Sequence, residues 1–147
     1  MNNLFYENAS VLIIGNEILS GRTIDKNFNY IATKLDEHGI SISESRTVSD
    51  SEEEIINAVN ELRKRFKYVF TTGGIGPTHD DVTAESIAKA FNVKLEVNNE
   101  AYKILEDYYN NLGTEFNDIR QRMARIPKGA KLIKNQISAA PGFNIEN

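Results

Sequence analysis

The chain has 147 residues, which is enough for one domain with a single core and too short for two ordinary ones. Hydrophobic residues make up 40% and charged residues 26%, and the net charge of −4 argues against a dominant nucleic-acid surface, whose footprint is basic. The absence of Cys leaves no disulfide framework and no thiolate metal site, which suits a reducing cytoplasm. Met1–Ser10 carries no basic n-region and no long apolar stretch, so no signal peptide is expected. No apolar run approaches the roughly 18 residues needed to span a membrane.

The first apolar run, Val11-Leu12-Ile13-Ile14, ends at Gly15 and reads as a strand buried on both faces, as in a parallel sheet. Residues 15–27 then read as a long strand-to-helix loop at the strand's C-terminal end, where open α/β sheets bind ligands. Gly15, Glu17, Asp25 and Asn27 are therefore candidate ligand contacts. Asp25 and Asn27 read equally well as caps of the next helix, and Glu17 as a solvated loop acid. Phe28, Ile31, Ala32 and Leu35 form one apolar helix face, closed by Gly39. His38, in the last turn, reads as a structural partner of the helix dipole.

Ile40 and Ile42 alternate with serines in a second strand to about Val48. Ser51 with Glu54 fits a capping box, with Asp50 and Glu53 as a competing register. Ile55, Ile56, Val59 and Leu62 supply the buried face of the helix that follows. Arg63-Lys64-Arg65 matches its dipole. Asp50, just past the second strand, is either a helix cap or a site acid.

A third strand at about Lys67–Thr71 leads into Thr72-Gly73-Gly74-Ile75-Gly76-Pro77-Thr78-His79-Asp80-Asp81-Val82-Thr83. The glycines permit close backbone approach by a ligand, Pro77 stiffens the turn, and Thr83 is a candidate N-cap for a helix to Ala90. Strand, glycine loop and helix start together suggest an anion site. Asp80 and Asp81 would repel a phosphate there unless a divalent cation such as Mg²⁺ bridges acid and phosphate. The loop is neither a Walker A motif nor a dinucleotide fingerprint, and its plain alternative is a tight turn with acids at a helix start.

Val93, Leu95 and Val97 alternate as a half-exposed edge strand. Asn98 or Asn99 caps the next helix, Gly113 stops it, and Asn117 caps a shorter one to about Ala124. Tyr102, Tyr108, Tyr109 and Phe116 read as packing, and Arg120, Arg122 and Arg125 as solvated helix charges within reach of an anion. Residues 126–130 read as a turn and Lys131–Ile133 as a short strand. Pro141 and Gly142, in Ala139-Ala140-Pro141-Gly142-Phe143, are candidates for a second pocket wall. Alternating strands and helices imply an α/β fold, a mostly parallel sheet with helices on both faces and right-handed crossovers. The loop ends would then meet at one rim.

These residues resemble the molybdopterin-binding (molybdenum-cofactor biosynthesis) domain family, and most its CinA-type, competence/damage-inducible branch. The matching stretches are residues 14–21 with Asp25 and Asn27; Val48-Ser49-Asp50; residues 71–83; and Ala140-Pro141-Gly142-Phe143. The Thr-Gly-Gly-x-Gly-Pro-Thr-x-Asp-Asp-x-Thr segment is the most specific of them. The resemblance implies a three-layer α/β/α domain whose pocket is built from the glycine loop and the acids at Asp50 and Asp81. It implies a small phosphorylated ligand, pterin or nucleotide, and catalytic roles for Asp50, Asp80 and Asp81. Of these, Asp80 and Asp81 are expected to hold the Mg²⁺. In such relatives the chemistry is metal-dependent hydrolysis of ADP-ribose-type pyrophosphates, or adenylyl transfer to molybdopterin; a non-catalytic binding module is the other reading. A cytoplasmic homo-oligomer that engages neither nucleic acid nor membrane is expected. Family members continue past the position of Phe143 into a strand and a Pro-Gly-x-Pro motif, so the expectation is one domain over 1–147, truncated at its C-terminal side.

Overall fold

The computed structural model describes residues 7–135 and 137–146. The first six residues of the N-terminal stretch read above therefore lie outside it. The chain falls into two units by its internal contacts, Met1–Gly73 and Gly74–Asn147.

In the first unit the apolar run forms β1 (Glu7–Ile14), flanked by β2 (Ile40–Val48) and β3 (Tyr68–Thr72) in the order β2-β1-β3. Both pairings are parallel, with Ile14 opposite Val48 and Ile13 opposite Thr72. Successive β1 side chains point to opposite faces, yet every residue from Ala9 to Ile14 is buried, so both faces of the strand are covered. The chain moves one way from β1 to β2 and the other way from β2 to β3. With right-handed crossovers, that reversal puts α2 (Asn27–Glu37) and α3 (Glu52–Leu62) on opposite faces. It also makes the carboxyl ends of β1 and β3 the switch point at which open α/β sheets bind ligands. The expected α/β class with a parallel sheet is the one found.

Several local expectations hold. Phe28, Ile31, Ala32 and Leu35 form the half-buried face of α2, and Gly39 closes the helix with φ +72°. The His38 imidazole lies against the Lys34 carbonyl, 2.8 Å from Nδ1, which is the structural role expected of it. Others do not hold. The 15–27 stretch is not all loop, because Asn16–Leu19 forms a short helix, α1. The capping box at Ser51 and Glu54 does not form: Ser51 makes no side-chain cap, and the Glu54 carboxylate accepts instead from the Ser49 N–H at 3.2 Å and hydroxyl at 2.7 Å. The competing register fails as well, since the Asp50 carboxylate accepts from the Asn16 N–H. Glu54 thus holds the residue that leads into α3, while Asp50 serves the start of α1. On the buried face of α3, Ala58 is fully packed and Ile56 only half so.

The second unit opens with the rest of the glycine loop and α4 (Thr83–Ala90). Thr83 is the first residue of the helix rather than its N-cap; it is buried, and its N–H donates to the Gly74 carbonyl at 3.2 Å. β4 (Leu95–Val97) is not an edge of the parallel sheet. It pairs antiparallel with β5 (Arg125–Pro127), a strand that overlaps the residues read as a turn. α5 (Asn99–Asn111) starts at Asn98, whose side chain accepts from the Ala101 N–H, and Gly113 follows its end with φ +64°. Asn117 caps α6 (Asp118–Gln121), which continues into a 3₁₀ turn at Arg122–Ala124. Ala101 and Leu105 pack on Met123, Ala124, Ile126 and Ala140. The aromatics pack as expected: Tyr102 meets Phe116 edge-on at 5.0 Å, and Tyr109 stacks on Phe116 at 5.7 Å. β6 (Lys131–Ile133) pairs antiparallel with β7 (Gly142–Asn144), so Gly142 is the first residue of a strand. No helix among the described residues is long and apolar enough to cross a membrane.

Candidate functional site

In the first unit the candidate residues gather at the carboxyl ends of the strands. The Gly15 N–H donates to the Val48 carbonyl at 3.1 Å, which carries the β1–β2 ladder one step past the strand. Asp50, just after β2, accepts from the Asn16 N–H at 2.8 Å and so fixes the start of α1. Glu17 is exposed on α1, with its carboxylate folded over Gly15, where an added Cβ would lie 2.7 Å from Oε1. Asp25 accepts from the N–H groups of Asn27 at 3.1 Å and Phe28 at 3.0 Å, which is its capping alternative. Asn27 takes no cap role; its side-chain amide donates to the Thr72 hydroxyl at 2.8 Å and ties the start of α2 to the end of β3.

Gly73 ends this unit with φ +101°, and a Cβ there would lie 1.9 Å from the Ile14 carbonyl oxygen. The ends of β1 and β3 touch backbone to backbone, which only glycine permits. Glu54 holds Ser49, the residue before Asp50, from below. Its carboxyl is lowered from the ordinary value of 4.5, first by the Ser49 hydroxyl and then by the Ser49 N–H, against the opposing effect of burial.

In the second unit Asp81 fastens the glycine loop. Its Oδ2 accepts from both the N–H (2.8 Å) and the hydroxyl (2.6 Å) of Thr78, and the Asp81 N–H donates to the Thr78 carbonyl at 3.2 Å. Gly76 passes so close that a Cβ there would lie 2.6 Å from that same oxygen. The N–H groups of Gly74, Ile75 and Gly76 donate to nothing among the described residues. Consecutive free N–H groups after positive-φ glycines make an anion-binding concavity. Asp80 sits apart: it is exposed and 3.0 Å from the equally exposed His79 ring. Pro141 lines a small cavity with Gly74, Gly76 and Asp81, and Gly142 is held in the β6–β7 pair.

Among the described residues no group of three or more acids or histidines is placed to hold a metal ion. The donor set suits Mg²⁺ only as a shared ion. Such an ion takes one or two carboxylates and completes its shell with phosphate oxygens and waters. Arg122 and Arg125 line the same cavity as the glycine loop. Both read from sequence as solvated helix charges, but Arg125 is on β5. Three residues are too few to show a strand period, so the sequence carries no signal that could have placed it there.

The model of the family described as "Probable molybdopterin binding domain" matches residues 10–146. A protein of Sulfurisphaera tokodaii is 43% identical over 93% of this chain and 52% of its own length. A "CinA-like protein" of Citrifermentans bemidjiense is 41% identical over 92% of this chain and 33% of its own. The chain thus spans about half the length, or less, of the curated relatives it matches. Among solved structures, the protein CinA "with unknown function" from Thermoplasma acidophilum superposes with a TM-score of 0.85 at 35% identity, covering 93% of this chain and 80% of that one. The tungsten-cofactor-synthesising MoaB of Pyrococcus furiosus reaches 0.56 at 23% identity, covering 88% and 75%, and shares the fold. With its glycine loop and its fastening aspartate, the chain belongs to the molybdopterin-binding domain family, in its CinA-like form.

Proposed function

We propose that the chain binds a phosphorylated heterocyclic ligand, pterin or nucleotide, through the 74–81 loop, and that the reaction served is Mg²⁺-dependent hydrolysis of an ADP-ribose-type pyrophosphate. The observation that carries this reading is the row of free N–H groups at Gly74, Ile75 and Gly76, held in place by Asp81 on Thr78. Preorganised N–H donors stabilise phosphoryl oxygens without having to reorganise when charge develops. Asp81 keeps the donors aimed, and Asp80 and Asp81 are the residues to hold a cation alongside the ligand. When bound, that cation would neutralise phosphate charge and acidify a water. Hydrolysis adds the water oxygen to one phosphorus, breaks the P–O–P bridge, and yields AMP and ribose 5-phosphate.

A second reading, a pocket that binds molybdopterin or a nucleotide without turnover, or that serves adenylyl transfer to molybdopterin, is favoured by a specific observation. Asp81 is committed to Thr78, and Asp80 lies in solvent beside His79. The family's description and the MoaB-like fold are consistent with it. The two readings separate on incubation of the protein with ADP-ribose and Mg²⁺ followed by product analysis. Release of AMP that is lost in Asp81→Asn supports hydrolysis. Bound but intact ADP-ribose supports the pocket without turnover.

A further inference from the structure

Seven arginines occur in the chain. Five are engaged: Arg46 with Glu44 and Glu61, Arg65 with Glu44, Arg22 with Ser20, Arg63 with Asn60, and Arg120 with the Glu115 carbonyl and the Tyr109 ring. Arg122 and Arg125 have no acceptor and no acid at ion-pair distance among the described residues. Both are half-buried, and the Arg125 Nε is buried with no hydrogen-bond partner among the described residues. A guanidinium stays charged at any physiological pH, and a desolvated, unpaired one is costly. A buried donor without an acceptor calls for an explanation such as an unseen ion.

The placement supplies one. The two side chains line the small cavity of about 30 Å³ that also borders Gly74, Gly76 and Asp81. They also line an open hollow of about 400 Å³ with Glu85, Val97, Asp118 and Gln121. The acids of these hollows are not their partners: Asp81 is taken by Thr78, Glu85 pairs with Lys89, and Asp118 lies beyond ion-pair distance. The smaller cavity holds about one water, and the larger is an open hollow on the far side of the two arginines from the glycine loop's lining residues. β5 and the preceding 3₁₀ turn thus carry two unspent cations to the border of the free N–H groups.

We infer that Arg122 and Arg125 form a second anion subsite, which takes the further phosphate of a ligand whose first phosphate sits on the 74–76 N–H groups. This rests on the loop's reading as a phosphate site, and it narrows the ligand class to one with two adjacent phosphates. Arginine forks suit phosphate oxygens in pairs, so each side chain contributes charge and geometry together.

The test is calorimetric titration of the wild-type chain, Arg122→Gln, Arg125→Gln and Arg125→Lys with inorganic pyrophosphate, orthophosphate and ADP-ribose. Thermal unfolding of each variant accompanies it. Arg122→Gln, on a half-exposed turn, preserves the fold and carries the test if Arg125→Gln unfolds. The expected result is pyrophosphate binding at least about tenfold weaker in each Gln variant, with orthophosphate unchanged and a partial return in Arg125→Lys. Wild-type affinity for pyrophosphate and ADP-ribose in Arg122→Gln overturns the inference while leaving the glycine-loop reading intact. Failure of the wild-type chain to bind pyrophosphate overturns the inference too; ADP-ribose binding in that same sample then decides the loop's role separately.

Discussion

Replacing Gly73 with alanine tests the claim that the ends of β1 and β3 meet backbone to backbone. The added Cβ would lie 1.9 Å from the Ile14 carbonyl oxygen, at φ +101°. Two costs arise. Left-handed backbone for a residue with a Cβ costs about 1–2 kcal/mol. Relieving the overlap means parting two main chains, since neither partner is a movable side-chain tip. That opens the Ile13–Thr72 end of the ladder and strains the Asn27–Thr72 bond, at about 1–3 kcal/mol by the usual cost of overpacking. The sum, about 2–5 kcal/mol, is a large part of a domain's ordinary 5–15 kcal/mol. Gly39→Ala is the control: φ is +72°, but nothing lies within 4 Å, so only the first cost applies. Urea unfolding of both variants, read as midpoint shifts at unchanged slope, measures the difference. Equal shifts for the two would refute the close approach.

Other outcomes follow from the same contacts. Asp25→Ala removes the acceptor for the Asn27 and Phe28 N–H groups and is expected to cost about 1 kcal/mol, with Asp25→Asn recovering most of it in the same urea assay. Because the Glu54 carboxyl is lowered in the folded state, its contribution to stability is complete above its ordinary value of 4.5 and is lost as pH falls through the lowered one. Unfolding midpoints followed on the acid side should therefore fall less steeply in Glu54→Gln than in wild type, and parallel curves would contradict that. Gly76→Ala puts a Cβ 2.6 Å from Asp81 Oδ2 and should free the Thr78 N–H and hydroxyl, read as faster amide exchange across 74–81 with the thermal midpoint little changed.

The parallel sheet is legible in the sequence because Val11–Ile14 is a continuous apolar run and each crossover helix carries a 3.6-residue apolar stripe. The glycine loop was legible because three glycines, a proline and two acids are more than a turn needs. What escaped was decided by partners far apart in sequence. Ser51 and Glu54 match a capping box, but Ser49 offers Glu54 two donors, and that pairing wins. Asp50 looked like a cap for the helix after it, yet it caps the one 34 residues before it. Three-residue strands such as β5 and β7 have no period long enough to read, so nothing in the sequence marks Arg125 or Gly142 as strand. The asymmetry between Asp80 and Asp81, adjacent and chemically identical, arises because Thr78 reaches one and solvent the other.

The most direct test of the proposed function is calorimetric titration of the chain with ADP-ribose, with and without Mg²⁺, and with the products of the same sample analysed. Saturable binding that tightens with Mg²⁺ and falls at least about tenfold in Asp81→Asn, with AMP released, is the result this account predicts. A folded chain that binds no ADP-ribose under either condition would contradict it.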